Sequence, residues 1–236
     1  MLFRSFRRRL HAALDWQLSG LKPAPPGAQG WADYEQDRPH YSGGSLSRKR
    51  RLIGEWLAQL SPQWVLDLGC NTGEFTKMAL ASGASVIALD ADHDCIQRLF
   101  LEHVDDVRLH PIVAPLDDLR SSRGWAGTEH PGMDRRLEQC ADVVLMLALV
   151  HHLAIGSAIP LEAVARFAYR CTRRSLVIEL LDADDPQLVA LCRQRRRAPE
   201  EFTRERQRDA FVAAGFSVVT EQRLEGAARS LLLMSK

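Results

Sequence analysis

Residues 64 to 75 read Trp-Val-Leu-Asp-Leu-Gly-Cys-Asn-Thr-Gly-Glu-Phe, and this stretch decides the fold. An apolar run around Asp67 is typical of a buried strand, a turn with Gly69 and Gly73 follows, and a helical pattern comes next. Glycine accepts positive φ, so the chain can bend sharply where the strand ends and present its N–H groups to a ligand. The stretch therefore predicts a nucleotide-type binding site at the carboxyl end of a first strand.

The spacing of the glycines separates two kinds of nucleotide site. A dinucleotide fingerprint that started at Gly69 would need glycine at the positions of Asn71 and Glu74, and neither is glycine. NAD is therefore the weaker interpretation. Asn71 tolerates the left-handed backbone region better than most residues, so the turn can still form. A carboxylate at Asp67 would repel a pyrophosphate, whereas it would attract a positively charged ligand.

A second acidic residue, Asp90, ends the next apolar run, which begins at Ser85. It follows Asp67 by 23 residues (90 − 67), close to the separation of roughly 20 at which an acid at the tip of a second strand binds ribose. We predict that Asp90 accepts hydrogen bonds from ribose hydroxyls. The alternative role is the N-cap of a helix over residues 92 to 103, for which Asp92 is the better candidate.

Other residues near the predicted strand ends are candidates for contact with the same ligand. Strand three is predicted over residues 107 to 113, and Asp117 or Asp118 after it could accept the exocyclic amine of an adenine. Ala91 follows Asp90, and Leu147 ends the predicted strand four. Cys70 lies in the turn itself, where its small size rather than its thiol chemistry is expected to matter.

Two histidines follow strand four, which is predicted over residues 141 to 147. His151 or His152 could accept a proton from an attacking nucleophile, because imidazole titrates near neutral pH. The alternative for either one is a structural hydrogen bond to a loop. Glu179, in the predicted strand five, could orient the substrate or a histidine, or it could pair in the core with an arginine such as Arg229.

The segment over residues 31 to 63 precedes the first strand and could cover the carboxyl edge of the sheet as a lid. Its candidate side chains are Tyr34, Tyr41 and Lys49, and Trp125 in a later loop could also cover the substrate. In the alternative interpretation the aromatic residues pack on the sheet edge or anchor a loop, and the basic run at 48 to 51 is a solvated helix face.

Composition gives the domain organisation. With 236 residues, of which 46% are hydrophobic, the chain is predicted to form one domain over residues 31 to 236, after an extension over residues 1 to 30. That extension reads as a basic amphipathic helix and a linker rich in Pro and Gly. The helix could make weak contact with a membrane surface or a protein, although a frayed or packed helix is the simpler interpretation.

Charge and cysteine content narrow the function classes. The 31 Lys and Arg residues balance 30 Asp and Glu residues, so no overall field favours nucleic acid. Five scattered cysteines lack metal-ligand spacing, which predicts reduced thiols in a cytoplasmic protein and no metal site. No run approaches the ~18 to 20 apolar residues that a membrane-spanning helix needs.

Strand and helix patterns alternate along the chain, which predicts a doubly wound, Rossmann-like α/β fold. Five parallel strands are followed by a helix near residues 203 to 214 and then by two runs at 216 to 221 and 229 to 234. These runs predict the final antiparallel pair, so the expected sheet is mixed and seven-stranded with its last strand antiparallel.

Together these blocks resemble the class I S-adenosylmethionine-dependent methyltransferases, in a subfamily similar to host-specific nodulation-type bacterial methyltransferases. The blocks that carry the resemblance are Trp31 with Tyr34, Tyr41 and Lys49, the turn from Asp67 to Gly73, Asp90, Gly124-Trp125, residues 148 to 156, Pro160-Leu161, Leu176 to Glu179 with residues 184 to 186, and residues 229 to 234. The chain departs from the subfamily at Pro115, where an acid is expected after strand three.

This resemblance implies S-adenosylmethionine as cofactor, S-adenosylhomocysteine as product, and an oxygen or nitrogen of a small-molecule or glycan-like acceptor as the methylated atom. Two alternatives stay open. One is a cofactor-binding scaffold without catalysis, which would act on a partner. The other is an RNA methyltransferase that uses the basic runs at 48 to 51 and 193 to 197, although acidic residues follow the second run closely and nucleic acid is the weaker choice.

Overall fold

A seven-stranded mixed sheet forms the centre of the protein, in a computed structural model that describes residues 2–20 and 43–236. The strand order is β3-β2-β1-β4-β5-β7-β6, and β7 runs antiparallel to both of its neighbours. The strands are β1 (Trp64–Leu68), β2 (Ser85–Asp90), β3 (Leu109–Val113), β4 (Ala141–Met146), β5 (Thr172–Leu181), β6 (Ser217–Leu224) and β7 (Arg229–Ser235). The predicted doubly wound sheet with an antiparallel last strand is therefore confirmed.

Helices connect the strands and cover the sheet. They are α1 (Leu2–Leu18), α2 (Gly43–Leu60), α3 (Glu74–Ala81), α4 (His93–Glu102), α5 (Met133–Arg136), α6 (Leu161–Cys171), α7 (Pro186–Arg195) and α8 (Arg204–Ala213). Side-chain caps fix the N-terminal ends of three of these helices. Asp92 caps α4, Asp185 caps α7 and Thr203 caps α8, and each side chain accepts a hydrogen bond from a backbone N–H of the first turn. The prediction that Asp92 caps the helix after β2 is confirmed.

The core lies on both faces of the sheet, because the central parallel strands are buried on both sides. Leu66 and Val144 point into one apolar cluster, whereas their chain neighbours Val65 and Val143 point into the other. This alternation follows from the two-residue period of a strand. Helices therefore have to cover both faces, which leaves the carboxyl edge of the strands as the place where a ligand can bind.

The order of the strands defines one position on that edge. The chain moves outward from β1 to β2 and β3, and then returns to the other side of β1 as β4. The chain thus reverses direction across the sheet at β1 and β4, and the carboxyl edge at such a reversal is where ligands bind in open α/β sheets. The glycine turn follows β1, and His151 and His152 follow β4.

Specific contacts set the starts of three elements. Helix α2 begins at Gly43, because Ser45 and Lys49 in its early turns are buried and tertiary packing outweighs the low helix propensity of Gly43 and Gly44. Strand β3 begins at Leu109 rather than Val107, since the Arg108 side chain bonds back to Asp106 in a local turn. Strand β5 begins at Thr172, which pairs with Ala141 of β4 across a register shift.

Helix α1 does not pack on the described body through its second half. Residues 9 to 20 are all exposed, and Trp16 is 79% exposed. Within residues 2–20 and 43–236, no helix is long and apolar enough to cross a membrane. The predicted linker at residues 21 to 30 and the candidates Tyr34 and Tyr41 lie outside the described residues.

Candidate active site

The glycine turn after β1 has the backbone conformation that its sequence predicted. Gly69, Asn71 and Gly73 have φ values of 73°, 51° and 86°, so all three lie in the left-handed region. The N–H groups of Gly69 and Cys70 both donate to the Leu89 carbonyl of β2, at 2.8 and 3.0 Å. A Cβ added at Gly73 would collide with the Leu99 side chain. The turn is therefore tight, and Asn71 adopts the left-handed conformation expected of it.

Asp90 connects the end of β2 to this turn. Its Oδ2 accepts the N–H of Asn71 at 2.8 Å, and its Oδ1 accepts the N–H of Asp92 at 2.9 Å. Burial raises the pKa of Asp90, and these backbone hydrogen bonds oppose that rise. Each carboxylate oxygen has a second lone pair, so further hydrogen bonds to a ligand are available. Ala91, next in the chain, is exposed.

Asp67 is a buried carboxylate inside β1. It is 2% exposed, and its Oδ2 accepts a hydrogen bond from Thr76 Oγ1 of α3 at 2.6 Å. Burial raises the pKa of Asp67 to about 6; the Thr76 hydrogen bond opposes that rise, Asp90 adds to it, and the charge of Lys49 opposes it. Perturbed carboxylates of this kind concentrate at functional sites.

The turn also contains a hydroxyl group that the sequence reasoning missed. Thr72 is 6% exposed, and its Oγ1 is buried with no hydrogen-bond partner among the described residues. A buried polar group without a partner costs free energy, on the order of 1 to 3 kcal/mol, which a ligand at the turn would recover. The only sequence signal was its place between Asn71 and Gly73. An unsatisfied hydroxyl in a glycine turn fits a polar, nucleotide-type ligand.

The surroundings of Cys70 disfavour the reactive thiolate form of its side chain. Burial, and after it the negative charges of Asp67 and Asp90, raise the pKa of the Cys70 thiol. A raised pKa keeps the sulfur protonated, and the thiol form is a poor nucleophile. Size and hydrogen bonding at the turn are therefore the properties that Cys70 contributes.

The end of β4 leads the chain back towards the glycine turn. Leu147 is buried, and Ala148 has a φ of 52°, an uncommon conformation for a residue with a Cβ. Leu149 then approaches the turn so closely that a Cβ added at Gly69 would lie 3.1 Å from its Cδ1. The loop after β4 is therefore in contact with the glycine turn after β1.

His151 and His152 lie at the beginning of a short π-helix (His152–Gly156). Such helices are rare and are frequent at functional sites. His151 is 2% exposed, and its ring centroid lies 4.1 Å from that of His152. Burial, and after it the charge of Arg229, lower the pKa of His152. The neutral imidazole is the form that can accept a proton.

Glu179 is fully buried in β5 and lies between two cations. Its Oε2 accepts a hydrogen bond from Lys49 Nζ at 2.6 Å, and its Oε1 lies 3.7 Å from Arg229 Nη1. Arg229 in turn binds Asp185, with Nε 2.7 Å from Oδ2. The arginine pairing that the sequence left open is therefore present, and Lys49 is a buried partner of the same carboxylate.

The remaining candidates lie further from the two loops along the chain. Asp117 is exposed, and its Oδ2 accepts a hydrogen bond from Ser157 Oγ at 2.7 Å, which joins the loop after β3 to the end of the π-helix. Trp125 is 84% exposed, in a short 3₁₀-helix (Trp125–Gly127).

The basic run at residues 48 to 51 is engaged within the fold. Arg48 donates to Gln222 at 3.2 Å, Lys49 binds Glu179, Arg50 pairs with Glu74, and Arg51 lies 4.0 Å from Glu55. Three of these four cations therefore pair with carboxylates of the fold, which weakens the attraction of the run to phosphates. In the part of the chain that the structure describes, no group of three or more His, Cys, Asp or Glu residues could hold a metal ion.

Comparison with known proteins agrees with this geometry. A family model described as a methyltransferase domain matches residues 40 to 221. The chain is 29% identical over 232 residues to the nodulation protein NoeA of Rhizobium meliloti, and the match covers 96% of the chain and 47% of NoeA. The chain therefore spans about half the length of this curated relative.

Solved structures share the fold at low sequence identity. A magnesium protoporphyrin IX methyltransferase from Synechocystis, with bound S-adenosylmethionine, matches with a TM-score of 0.54 and 15% identity over 81% of this chain and 80% of that one. A 1,6-didemethyltoxoflavin N1-methyltransferase from Burkholderia thailandensis, with bound S-adenosylhomocysteine, matches with a TM-score of 0.56 and 19% identity over 87% and 84%. With the family match over most of its length, the chain belongs to the class I S-adenosylmethionine-dependent methyltransferases.

Proposed function

We propose that this protein transfers a methyl group from S-adenosylmethionine to an oxygen or nitrogen atom of a small-molecule or glycan-like acceptor. The observation that carries the proposal is the contact between the glycine turn after β1 and the His151–His152 loop after β4. The two relatives of known structure described above act, by their names, on a porphyrin and on a toxoflavin precursor. Both are small molecules, which supports the same class of acceptor here.

The residues around the glycine turn would hold the cofactor. Asp90 would accept hydrogen bonds from the ribose hydroxyls, as its remaining lone pairs allow. The backbone of the turn from Gly69 to Gly73, including Cys70 and Asn71, would line the amino-acid end beside Asp67, and the Thr72 hydroxyl would find its missing partner there. Ala91, Leu147 and Asp117 would border the adenosine.

When bound, S-adenosylmethionine supplies a methyl group on a positively charged sulfur. The protein's first contribution is to hold the acceptor in line with that methyl group and to exclude water, which can supply on the order of 7 to 11 kcal/mol of barrier reduction. Its second contribution is a proton acceptor. As the acceptor oxygen or nitrogen forms its bond to the methyl carbon, the carbon–sulfur bond would break with its electron pair left on the sulfur of S-adenosylhomocysteine, and the acceptor's proton would pass to the imidazole of His152 or His151.

A methyl-transfer assay tests this function. Tritiated S-adenosylmethionine is incubated with the protein and a panel of phenols, amines, carboxylates and oligosaccharides, and with structured RNA as a separate arm. We expect transfer to at least one small acceptor, and a decrease in kcat of roughly 10²- to 10⁴-fold in His151→Gln or His152→Gln. His93→Gln, whose side chain is 74% exposed in α4, is the matched control and should keep full activity.

Each alternative gives a different result. Full turnover in both histidine variants would contradict the general-base assignment. Transfer to RNA, with an affinity that falls steeply with salt, would replace the small acceptor by nucleic acid. Cofactor binding without transfer to any acceptor would favour the scaffold and would contradict the proposed enzyme.

A further inference from the structure

A cavity of about 260 Å³ lies beside the π-helix that begins at His152. Its lining comes from two segments, residues 154 to 162 after β4 and residues 197 to 206, which lead from α7 into α8. We call it the α6–α8 cavity. Its volume is just below the roughly 300 to 1,000 Å³ of sites for drug-sized ligands, so it suits a ligand of a single ring.

Both segments are held at the carboxyl edge of the sheet. On the first, the N–H of Ile159 donates to the carbonyl of Leu153, the residue after His152, at 3.0 Å. On the second, Gln207 Nε2 donates to the Leu181 carbonyl at the end of β5, at 2.8 Å. Because β4 and β5 run parallel to β1, the α6–α8 cavity lies on the same edge of the sheet as the glycine turn.

Buried apolar side chains and one ion pair form much of the lining. Ala154, Leu161 and Phe202 are buried. Arg197 lies over the ring of Phe202, 5.1 Å from its centroid, and its Nη2 is 2.6 Å from Oε2 of Glu201. The charges of Arg197 and Glu201 therefore compensate each other, and the interior offers an apolar surface to a ligand.

Two exposed charges, one from each segment, complete the lining: Glu162 of α6 and Arg206 of α8. Neither forms a salt bridge within residues 2–20 and 43–236, whereas Arg204 of the same helix α8 lies 3.3 Å from Glu221. With the ion pair described above, the charges of the lining sum to zero. The α6–α8 cavity thus presents a hydrogen-bond donor and a hydrogen-bond acceptor without a net charge.

A neutral sugar ring has the complementary chemistry. Each hydroxyl can accept a hydrogen bond from a guanidinium and donate one to a carboxylate, and the C–H groups of the ring can pack on apolar side chains. An anion would be attracted by Arg206 but repelled by Glu162, and the reverse holds for a cation. The balanced lining therefore favours a neutral ring with several hydroxyls over an ion.

We propose that the α6–α8 cavity is a subsite that binds one neutral sugar ring of the acceptor. This inference rests on the proposed function and deepens it, because it selects a glycan among the acceptors considered there. Arg206 and Glu162 bind the ring hydroxyls, and Ala154, Leu161 and Phe202 contact its C–H groups. These residues bind the acceptor and take no part in methyl transfer.

The test is saturation-transfer NMR on the full chain with the methyl glycosides of glucose, galactose, mannose and N-acetylglucosamine. We expect saturable binding of at least one of them, with affinity about tenfold weaker in Arg206→Met and in Glu162→Gln. Ala158→Trp, which places a large side chain at an exposed lining position, should abolish binding. Arg166→Met is the matched control, because it removes an exposed arginine of α6 outside the lining and should leave affinity unchanged.

Other results would overturn the subsite. They are absence of binding by every neutral glycoside, undiminished binding in all three lining variants, and an equal loss in Arg166→Met. Tighter binding of glucuronate, an anion, or of glycine betaine, a zwitterion, would overturn the neutral ring as the ligand. Methyl transfer to a small acceptor by a chain that binds no sugar would contradict the subsite alone, whereas sugar binding without methyl transfer to any acceptor would contradict the proposed function.

Discussion

Replacement of Asp67 by asparagine is predicted to stabilise the fold and to weaken cofactor binding. Asp67 is buried inside β1, and burial raises its pKa from the ordinary 3.8 to about 6. The folded protein therefore binds this proton more tightly than the unfolded chain does, so stability decreases as pH rises from about 4 to about 6. Above about pH 6, Asp67 is ionised in the folded protein, and the full free-energy cost of burying its charge lowers the stability of the fold.

The magnitude follows from that difference in pKa. The pKa values of Asp67 in the folded protein and in the unfolded chain differ by 6 − 3.8 = 2.2. At about 1.4 kcal/mol for each pKa unit, the ionised Asp67 lowers the free energy of unfolding by about 3 kcal/mol at pH 8. Asparagine has almost the same shape, and its Oδ1 can accept the Thr76 hydroxyl, but its two amide hydrogens need partners. Leaving one buried and unbonded would cost about 1 kcal/mol or more. The expected net gain in the free energy of unfolding is therefore at most about 2 kcal/mol at pH 8.

Urea unfolding of both proteins between pH 4.5 and 8 measures the effect. The gain in Asp67→Asn should grow with pH and level off above about pH 6.5, whereas affinity for S-adenosylmethionine should fall. Asp142→Asn is the matched control, because Asp142 is a partly buried carboxylate that accepts the N–H groups of Gln63 and Trp64 at the opposite end of β1. It should give no gain at pH 8. Equal stability of wild type and Asp67→Asn at every pH, or a loss at pH 8, would refute the reasoning.

Three further predictions concern the turn, the buried Arg229 side chain and the thiols. Gly73→Ala should lower the free energy of unfolding by roughly 1 to 3 kcal/mol, because the added Cβ collides with Leu99 at a position that already has a positive φ. Gly83 has a φ of 96° but open space around it, so Gly83→Ala is the control. A loss in Gly83→Ala as large as that in Gly73→Ala would contradict the collision. Arg229→Met should destabilise the protein by about 3 to 5 kcal/mol in urea unfolding. Arg223→Met is the control: it breaks the exposed pair with Asp182 and should cost less than about 1 kcal/mol. Similar losses in the two variants would refute the role of burial. In the native protein, Ellman's reagent at pH 8 should react slowly with the four buried thiols, Cys70, Cys95, Cys171 and Cys192. In urea, all five thiols should react. Rapid labelling of Cys70 in the native protein would contradict its burial.

The turn and the caps could be predicted from the sequence because they depend on residues that are close along the chain. Asn71 tolerates the left-handed backbone on its own account, and Asp92 caps α4 through N–H groups only two and three residues away. The doubly wound fold class follows from the alternation of strand and helix patterns along the chain. These local features allow both the fold class and the cofactor turn to be predicted from the sequence.

The partners of Lys49 could not be predicted in the same way. Lys49 and Glu179 are separated by 130 residues, and only packing of α2 against the sheet brings them together. The sequence placed Lys49 either in a lid over the site or in a basic run on a solvated helix face, and neither position implies a buried ion pair. Thr72 was missed for a related reason, because burial of its hydroxyl without a partner is a property of the folded turn.

The most direct test of the central claim is calorimetric titration of S-adenosylhomocysteine into the full chain and into Asp90→Asn, with NAD as the control ligand and Asp106→Asn as the control variant. The account predicts saturable binding of S-adenosylhomocysteine by the wild-type chain and by Asp106→Asn, at least tenfold weaker binding by Asp90→Asn, and no response to NAD. Binding of NAD, or undiminished binding of S-adenosylhomocysteine by Asp90→Asn, would contradict the assignment of the cofactor site to the glycine turn after β1 and to Asp90 at the end of β2.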